Sequence, residues 1–345
     1  MKKIVFTGGG TAGHVMPNLA IMEELNNKAQ FYYIGSNGIE KQIISKTKIP
    51  FYEITSTKLK RSLSFSNFLI PFKLLKAIKQ SKKILKKLKP DVVFNKGGYV
   101  GLPVVIAAKK LKIKVVSHES DMTMGLANKL CKNKSYYILT SFESTAKGLK
   151  NGIFTGSPIR KQIFNGKKEN AKKLFKNFQS NPTILIVGGS LGSKTINETV
   201  FKSLNKLKDF NIIHLVGKGN INTLATNKNY VQIEFTNNIE DLYALSDIII
   251  SRAGSNVINE ILALNKPNIL IPLSKKASRG DQILNANYFK QKGYSKVIFE
   301  EDLSVYSLTK AINDVLNNKQ KYIDNMKNSN TKLANKKIAK LLLED

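Results

Sequence analysis

Gly8, Gly10 and Gly13 satisfy G-x-G-x-x-G directly after a short apolar run, Ile4 to Phe6, and directly before His14 and Pro17. Bare backbone of this kind lets N–H groups approach an anion, or a developing negative charge, at the start of a helix. The device recurs at residues 188–193, GGSLGS, and again at 251–256, SRAGSN, ahead of the helical stretch VINEILAL. A plain tight turn accounts for any one of these segments. Three at matching positions after apolar runs point to a phosphorylated ligand. His14 brings a side chain that ordinarily titrates near neutrality, the range a general base needs. Glu119 is a second candidate, as base or as positioning group. Glu260 lies one to two helical turns beyond SRAGSN, where a carboxylate can accept both hydroxyls of a ribose while the helix start takes the phosphates. His118, at a strand end, reads as structural, and His214, inside an apolar run, as core or wall.

Several chemistries are disfavoured. A nicotinamide enzyme wants an acid at the end of its second strand, about 20 residues past the glycines. Here that strand, FYYIG, ends in Gly35-Ser36-Asn37. One cysteine, Cys131, excludes an internal disulfide and a thiolate zinc site, and three scattered histidines supply no metal centre. There is no D-x-D of the kind that holds a nucleotide diphosphate through a divalent ion. A metal-free site must meet the diphosphate with helix dipoles and basic side chains, and no cofactor is expected.

The elements that must position these groups alternate. Apolar strands at 3–6, 31–35, 51–55, 91–95, 115–120 and 136–140 are separated by helical stretches, the first from about Pro17 to Asn26. The rhythm weakens over 151–182. It restarts at 183 and continues through 211–217, 231–235, 247–251 and 268–273 before a helical end. This is the signature of βαβ units and parallel sheets. A chain of 345 residues exceeds the roughly 250–300 at which single cores stop growing. The expected fold class is therefore α/β, with two Rossmann-like domains of parallel sheets facing a cleft and ligands at the carboxyl ends of the strands.

Lys and Arg number 56 against 24 Asp and Glu, a net charge of +32. Part of that excess follows the general abundance of Lys, Asn and Ile. The rest is concentrated, because no acidic residue occurs between Glu53 and Asp91. The stretch opens with the apolar FSNFLIPF (65–72) and continues as a helix. Leu75, Ile78, Leu85 and Leu88 fall at helical spacing opposite lysines. Such a segment suits an anionic membrane surface, with Phe65, Phe68, Leu69, Ile70, Phe72, Lys73 and Lys76 as the contacts. It also suits an ordinary amphipathic helix on a core. No secretory segment and no run of about 18 apolar residues is visible, so a soluble or peripheral protein of the cytoplasm is expected. Nucleic acid is a poor partner, for there is no Trp, no stacking platform and no binding motif.

GGGTAGHVMP (8–17), KGGYVGLP (96–103), HESDMTMGLANKL (118–130), GSPIR (156–160), GGSLGS (188–193), SRAGSNVINE (251–260) and RGDQILNA (279–286) follow one another in a single order. In these motifs, spread over essentially the whole chain, the sequence closely resembles glycosyltransferase family 28. In particular, it resembles the peptidoglycan enzymes that move N-acetylglucosamine from UDP-N-acetylglucosamine to lipid I, giving lipid II. The resemblance implies a GT-B fold with an N-terminal acceptor domain over 1–160 and a donor domain over 161–324. A C-terminal helix, about 325–345, then crosses back to the first domain. It implies inverting, metal-independent transfer to the C4 hydroxyl of the N-acetylmuramyl sugar, at the cytoplasmic face of the cell membrane, beside possible cell-wall assembly proteins.

Residue by residue, it implies His14 as base or transition-state contact. It implies Thr11, Ala12, Gly13, Asp121, Arg160, Ser190, Ser255, Asn256, Glu260 and Gln282 along the donor. Gly97, Gly98 and Tyr99 suit the acceptor diphosphate. Asp121 stands where many members have Asn, and Asp281 where they often have Gln. Rival readings are a glycosyltransferase of membrane diacylglycerol, a nucleic-acid-binding protein and a nucleotide-binding regulator without catalysis.

Overall fold

The computed structural model describes residues 1–56, 70–176, 178–189, 191–275, 278–329 and 331–344. The chain divides into two compact units, Met1–Arg160 with Lys332–Asp345, and Lys161–Thr331.

The first unit is built on β1 (Lys2–Thr7), β2 (Ala29–Gly35), β3 (Phe51–Glu53), β4 (Val92–Asn95), β5 (Lys114–Glu119), β6 (Tyr137–Thr140) and β7 (Gly152–Phe154). Among the described residues these form one sheet in the order β3-β2-β1-β4-β5-β6-β7, and every pairing is parallel. Order reverses between β1 and β4, so the loops after these two strands diverge and leave a crevice at their carboxyl ends. The helices are α1 (Ala12–Glu24), α2 (Ile39–Ile44), α3 (Ile70–Leu88), α4 (Gly101–Lys110), α5 (Leu126–Cys131) and α6 (Glu143–Lys147).

Both faces of the sheet are covered, which is why its strands read as apolar runs. On one face Ile4, Phe6, Phe94 and Val116 pack with Val15 and Ile21 of α1 and with Ile338 and Leu342 of the C-terminal helix. On the other, Val5, Val93 and Val115 pack with Leu85 and Leu88 of α3 and with Val104, Val105 and Ala108 of α4.

The second unit repeats the topology. Strands β8 (Thr183–Val187), β9 (Asn211–Leu215), β10 (Tyr230–Ile233), β11 (Ile248–Ser251), β12 (Asn268–Leu270) and β13 (Lys296–Val297) form a parallel sheet. Its order is β10-β9-β8-β11-β12-β13. The switch point now lies between β8 and β11. Its helices are α7 (Lys168–Lys172), α8 (Lys194–Ser203), α9 (Ile239–Leu245), α10 (Ser255–Ala263), α11 (Asp281–Gln291), α12 (Val305–Asn317) and α13 (Lys319–Lys327). Ile184, Ile186, Ile250 and Ile269 pack on Val200, Ile312 and Val315, and Leu185, Ile213 and Ile249 on Leu242, Tyr243 and Ile261. The chain leaves this unit at Thr331, and α14 (Ala334–Leu343) lies in the first unit, where it packs on α1. The returning segment thus starts later than the 325 expected, because α13 stays with the second unit.

Three local expectations need correction. Helix α1 starts at Ala12 and not near Pro17, so Pro17 lies inside it and His14 belongs to its first turn instead of a loop. The loop needs no further residues to turn, because Gly8 at φ 142° and Gly10 at φ 85° make the reversal themselves. Leu75 does not join the core stripe of α3. The buried positions are Ala77, Ser81, Leu85 and Leu88, each about one turn from the next, and Leu75 stands roughly 125° from their mean direction. Edge strands β7 and β13 were not expected from the sequence; they are 3 and 2 residues long.

Candidate active site

In the first unit the glycine loop after β1 is packed from two sides. From one side comes Glu40, fully buried in α2. Its Oε2 accepts the Gly10 N–H at 3.1 Å, and its Oε1 accepts the Ser36 N–H at 2.9 Å and the Ser36 hydroxyl. A Cβ on Gly9 would fall 2.5 Å from the Glu40 carboxyl carbon. From the other side come Gly97, Gly98 and Tyr99. A Cβ on Gly98 would lie 2.4 Å from the Gly9 carbonyl oxygen, and one on Gly10 would lie 2.5 Å from Cε1 of Tyr99. Tyr33 closes the floor, its hydroxyl donating to Gly8 O at 2.6 Å. The sequence drew attention to Gly97, Gly98 and Tyr99 but not to Glu40, whose partners lie up to 30 residues away.

His14, partly buried in the first turn of α1, has Nδ1 at 2.9 Å from Thr11 Oγ1. Burial first, then the positive charge of Lys96, push its pKa down to about 4, against the Gly9 carbonyl and the Glu40 charge, which raise it. The imidazole is therefore neutral at neutral pH and able to accept a proton. Thr11 and Ala12 beside it are exposed and Gly13 is partly so.

Glu119 ends β5 and is buried. Its Oε1 accepts the Asp121 N–H at 3.1 Å. Its Oε2 accepts the Gly125 N–H at 3.0 Å and Nδ2 of Asn128 at 2.9 Å. Burial raises its pKa against these bonds. Both oxygens are thus engaged in shaping the loop into α5, which fits positioning better than proton transfer. His118, fully buried, donates from Nε2 to Gly156 O at 3.0 Å. Arg160 is the last residue of this unit and partly buried.

The second unit keeps its glycine loops differently. Gly192, at φ 77°, packs on Val216 O, but a Cβ on Gly189, Gly219 or Gly254 would meet nothing within 4 Å. Helix α10 begins after Gly254, which has no side chain to cap the first-turn N–H groups. Ser255 is buried there, Asn256 partly buried, and Glu260 receives the Tyr243 hydroxyl at 3.4 Å. In α11, Gln282 Oε1 accepts the Leu273 N–H at 3.0 Å, which leaves Nε2 as the donating end of the amide. Asn285 of the same helix donates to Ala253 O at 3.2 Å, so the starts of α10 and α11 are tied together. Asp281 pairs with Arg279 at 2.7 Å. Ser190 lies outside the described residues.

A clamp unnoticed in the sequence supports these loops. Arg252 reaches Ser193 Oγ at 2.6 Å, Glu300, and the carbonyls of Ile271 at 3.3 Å and Pro272 at 3.4 Å. Burial pushes the Glu300 carboxyl up, but the Arg252 bond and charge and the Ser274 N–H outweigh it and hold it low. His214, expected as core or wall, is buried between Tyr230 OH at 2.9 Å and Asn197 Oδ1 at 3.1 Å, and burial lowers its pKa to about 3.

Two doubly wound units, each with glycine loops at its switch point, define the two-domain α/β architecture of GT-B glycosyltransferases. Residues 4–138 match the glycosyltransferase family 28 N-terminal domain and residues 183–342 the family 28 C-terminal domain. The chain belongs to glycosyltransferase family 28. It is 52% identical over 335 residues to a Clostridium perfringens protein, covering 95% of this chain and 94% of that one. It is 50% identical over 349 residues to one from Clostridium botulinum, covering 99% of each. Both carry the name UDP-N-acetylglucosamine–N-acetylmuramyl-(pentapeptide) pyrophosphoryl-undecaprenol N-acetylglucosamine transferase. The crystal structure of Acinetobacter baumannii MurG superposes with a TM-score of 0.79 at 25% identity, over 99% of each chain.

Proposed function

We propose that this chain transfers N-acetylglucosamine from UDP-N-acetylglucosamine to the C4 hydroxyl of the N-acetylmuramyl sugar of lipid I, forming lipid II for peptidoglycan. The observation that carries this reading is identity at 50–52% over nearly the full chain to enzymes named for that reaction. Neutral His14 takes the proton of the acceptor hydroxyl as that oxygen attacks the anomeric carbon. The bond from that carbon to the UDP oxygen breaks on the opposite face, inverting the centre, and UDP leaves with the electron pair. The charge gathering on UDP meets the helix start at Gly254–Asn256, with Arg160 and Ser190 as basic and hydroxyl partners. Glu260 accepts from the ribose, and Gln282 donates to a sugar hydroxyl. Asp121 is the remaining donor-side candidate, and Gly97, Gly98 and Tyr99 border the acceptor diphosphate. The reaction proceeds without a metal.

Lipid I remains in the bilayer through its polyprenyl chain, so the enzyme works at the cytoplasmic face of the membrane. Phe72 is 70% and Leu75 58% exposed at the start of α3, beside exposed Lys73 and Lys76. Apolar side chains interleaved with ammonium groups suit an anionic leaflet, each lysine adding about 1 kcal/mol. Ile70 is partly buried, and Phe65, Phe68 and Leu69 lie outside the described residues. Among the described residues no helix is long and apolar enough to cross a membrane.

The deciding experiment is transfer of labelled N-acetylglucosamine to a short-chain lipid I analogue with chelator present. A β-linked disaccharide product is expected. Turnover on diacylglycerol instead would keep the fold and overturn the acceptor. Absence of turnover with any nucleotide sugar would sink the transferase reading.

A further inference from the structure

Among the described residues, Lys96 is a fully buried cation that the transfer scheme does not use. Lys96 follows β4 and is 1% exposed. Its backbone N–H donates to Thr7 O at 2.9 Å, which ties it to the end of β1. Its stem lies under the glycine loop, where a Cβ on Gly8 would come within 3.1 Å of the Lys96 Cβ. Its ammonium donates to Ser120 Oγ. The charges facing it come from three further elements. Glu119 and Asp121, at and after the end of β5, attract it. His118 of β5 and His14 of α1 feel its charge, and Glu40 of α2 opposes it at His14. Burial lowers its pKa to about 8 against the pull of Glu119 and Asp121, so the ammonium is charged at neutral pH and loses its proton in mild alkali. Such a buried charge is costly and is kept only where partner charges hold it. An apolar side chain would fill this place more cheaply if packing were all that was needed.

We propose that Lys96 is a positioning residue for the transfer: its ammonium ties the Glu119–Asp121 segment to the end of β4 and, at neutral pH, sets a positive charge beside His14. The segment so held carries the loop into α5, and the charge favours the uncharged imidazole. The same pairing gives Asp121 a partner in this chain that a neutral Asn would not need. The inference rests on the transfer reading, with His14 as base.

The test follows the His14 imidazole by proton NMR titration in the wild-type protein and in Lys96→Met, with His14→Ala used for assignment. The pH profile of kcat/KM is measured on the same proteins. In the wild type His14 is expected to protonate well below the ordinary histidine range. Lys96→Met is expected to move that titration, and the acid limb of kcat/KM with it, upward by roughly one pH unit. It also lowers kcat about tenfold through the loosened loop. Should Lys96→Met fail to fold, Lys96→Met/Asp121→Asn removes both charges and carries the same titration. A wild-type His14 that titrates near 6.5, or a folded variant whose titration and acid limb do not move, overturns the inference. Absence of wild-type transfer to lipid I would overturn the functional reading instead, and the NMR titration would still decide whether Lys96 charges the His14 environment.

Discussion

In the first unit a Cβ at Gly9 would strike Glu40 at 2.5 Å and one at Gly10 would strike Tyr99 at 2.5 Å, whereas in the second a Cβ at Gly189 or Gly254 meets nothing within 4 Å. Both loops sit at the switch point of a parallel sheet and both read as glycine-rich anion cradles. Yet the first is packed by its own protein. The Gly10 N–H is already bonded to Glu40, and Gly98 lets two backbones touch. There the glycines allow chain to pack on chain, which fixes His14 at the start of α1. In the second unit Gly192 likewise packs on Val216 O, but Gly189 and Gly254 face open space, and Gly254 brings no side chain to the start of α10, which suits a phosphate. One motif type thus serves close packing around His14 and, at Gly189 and Gly254, leaves open space.

That contrast can be broken experimentally. If the first unit carries the chemistry, His14→Ala lowers kcat by roughly 10²–10⁴-fold and leaves UDP affinity near wild type, read by steady-state kinetics and calorimetry. A fall in UDP affinity with kcat intact would reverse the assignment. Gly98→Ala places a Cβ 2.4 Å from backbone at φ 79°, so it destabilises by about 2–3 kcal/mol in denaturant unfolding. Gly254→Ala is its counterpart at an ordinary φ of −68° with open space. As the poorer N-cap residue, Ala there costs about 1 kcal/mol at most, less than at Gly98, and weakens UDP binding about tenfold. Equal destabilisation of both variants would show that the two loops are built alike.

The smallest effect concerns acid. His14, His118 and His214 are all held below the ordinary histidine value, chiefly by burial. The unfolded chain then takes up protons first as pH falls from 6.5. The stability they contribute is complete above that pH and is lost progressively down toward 4 and 3. Thermal unfolding should change little between about pH 7 and 7.5, below the range where the buried Lys96 and Lys266 titrate, and drop by several degrees by pH 4.5. A rise in stability over that interval would contradict the burial of these rings.

Much of this was legible beforehand. Alternating apolar runs gave most of the strands of both sheets, because strands covered on both faces need continuous apolar sequence. The ordered motifs gave the family, which the matches over 4–138 and 183–342 establish. Less legible was the start of α1, where Pro17 suggested a boundary that the glycine turn makes unnecessary. The exposure of Leu75 was hidden as well, since helical spacing alone admits two neighbouring stripes on α3 and only packing selects Ala77, Ser81, Leu85 and Leu88.

The sequence by itself determined two cycles of strand, glycine loop and helix, a cationic acid-free segment, and the residue types a nucleotide-sugar transferase needs. These are local properties, set by hydrophobic period, backbone freedom and charge along the chain. Tertiary structure decided which groups meet. Glu40 lies 30 residues from Gly10, and Lys96 lies 24 from Ser120. Arg252 joins Ser193, 59 residues away, to Glu300, 48 away. Only folding removes such groups from water and sets them against one another. Burial and neighbouring charge then keep the His14 imidazole neutral, engage both Glu119 oxygens in its loop and place the Lys96 ammonium against Ser120, differences that residue type alone does not show.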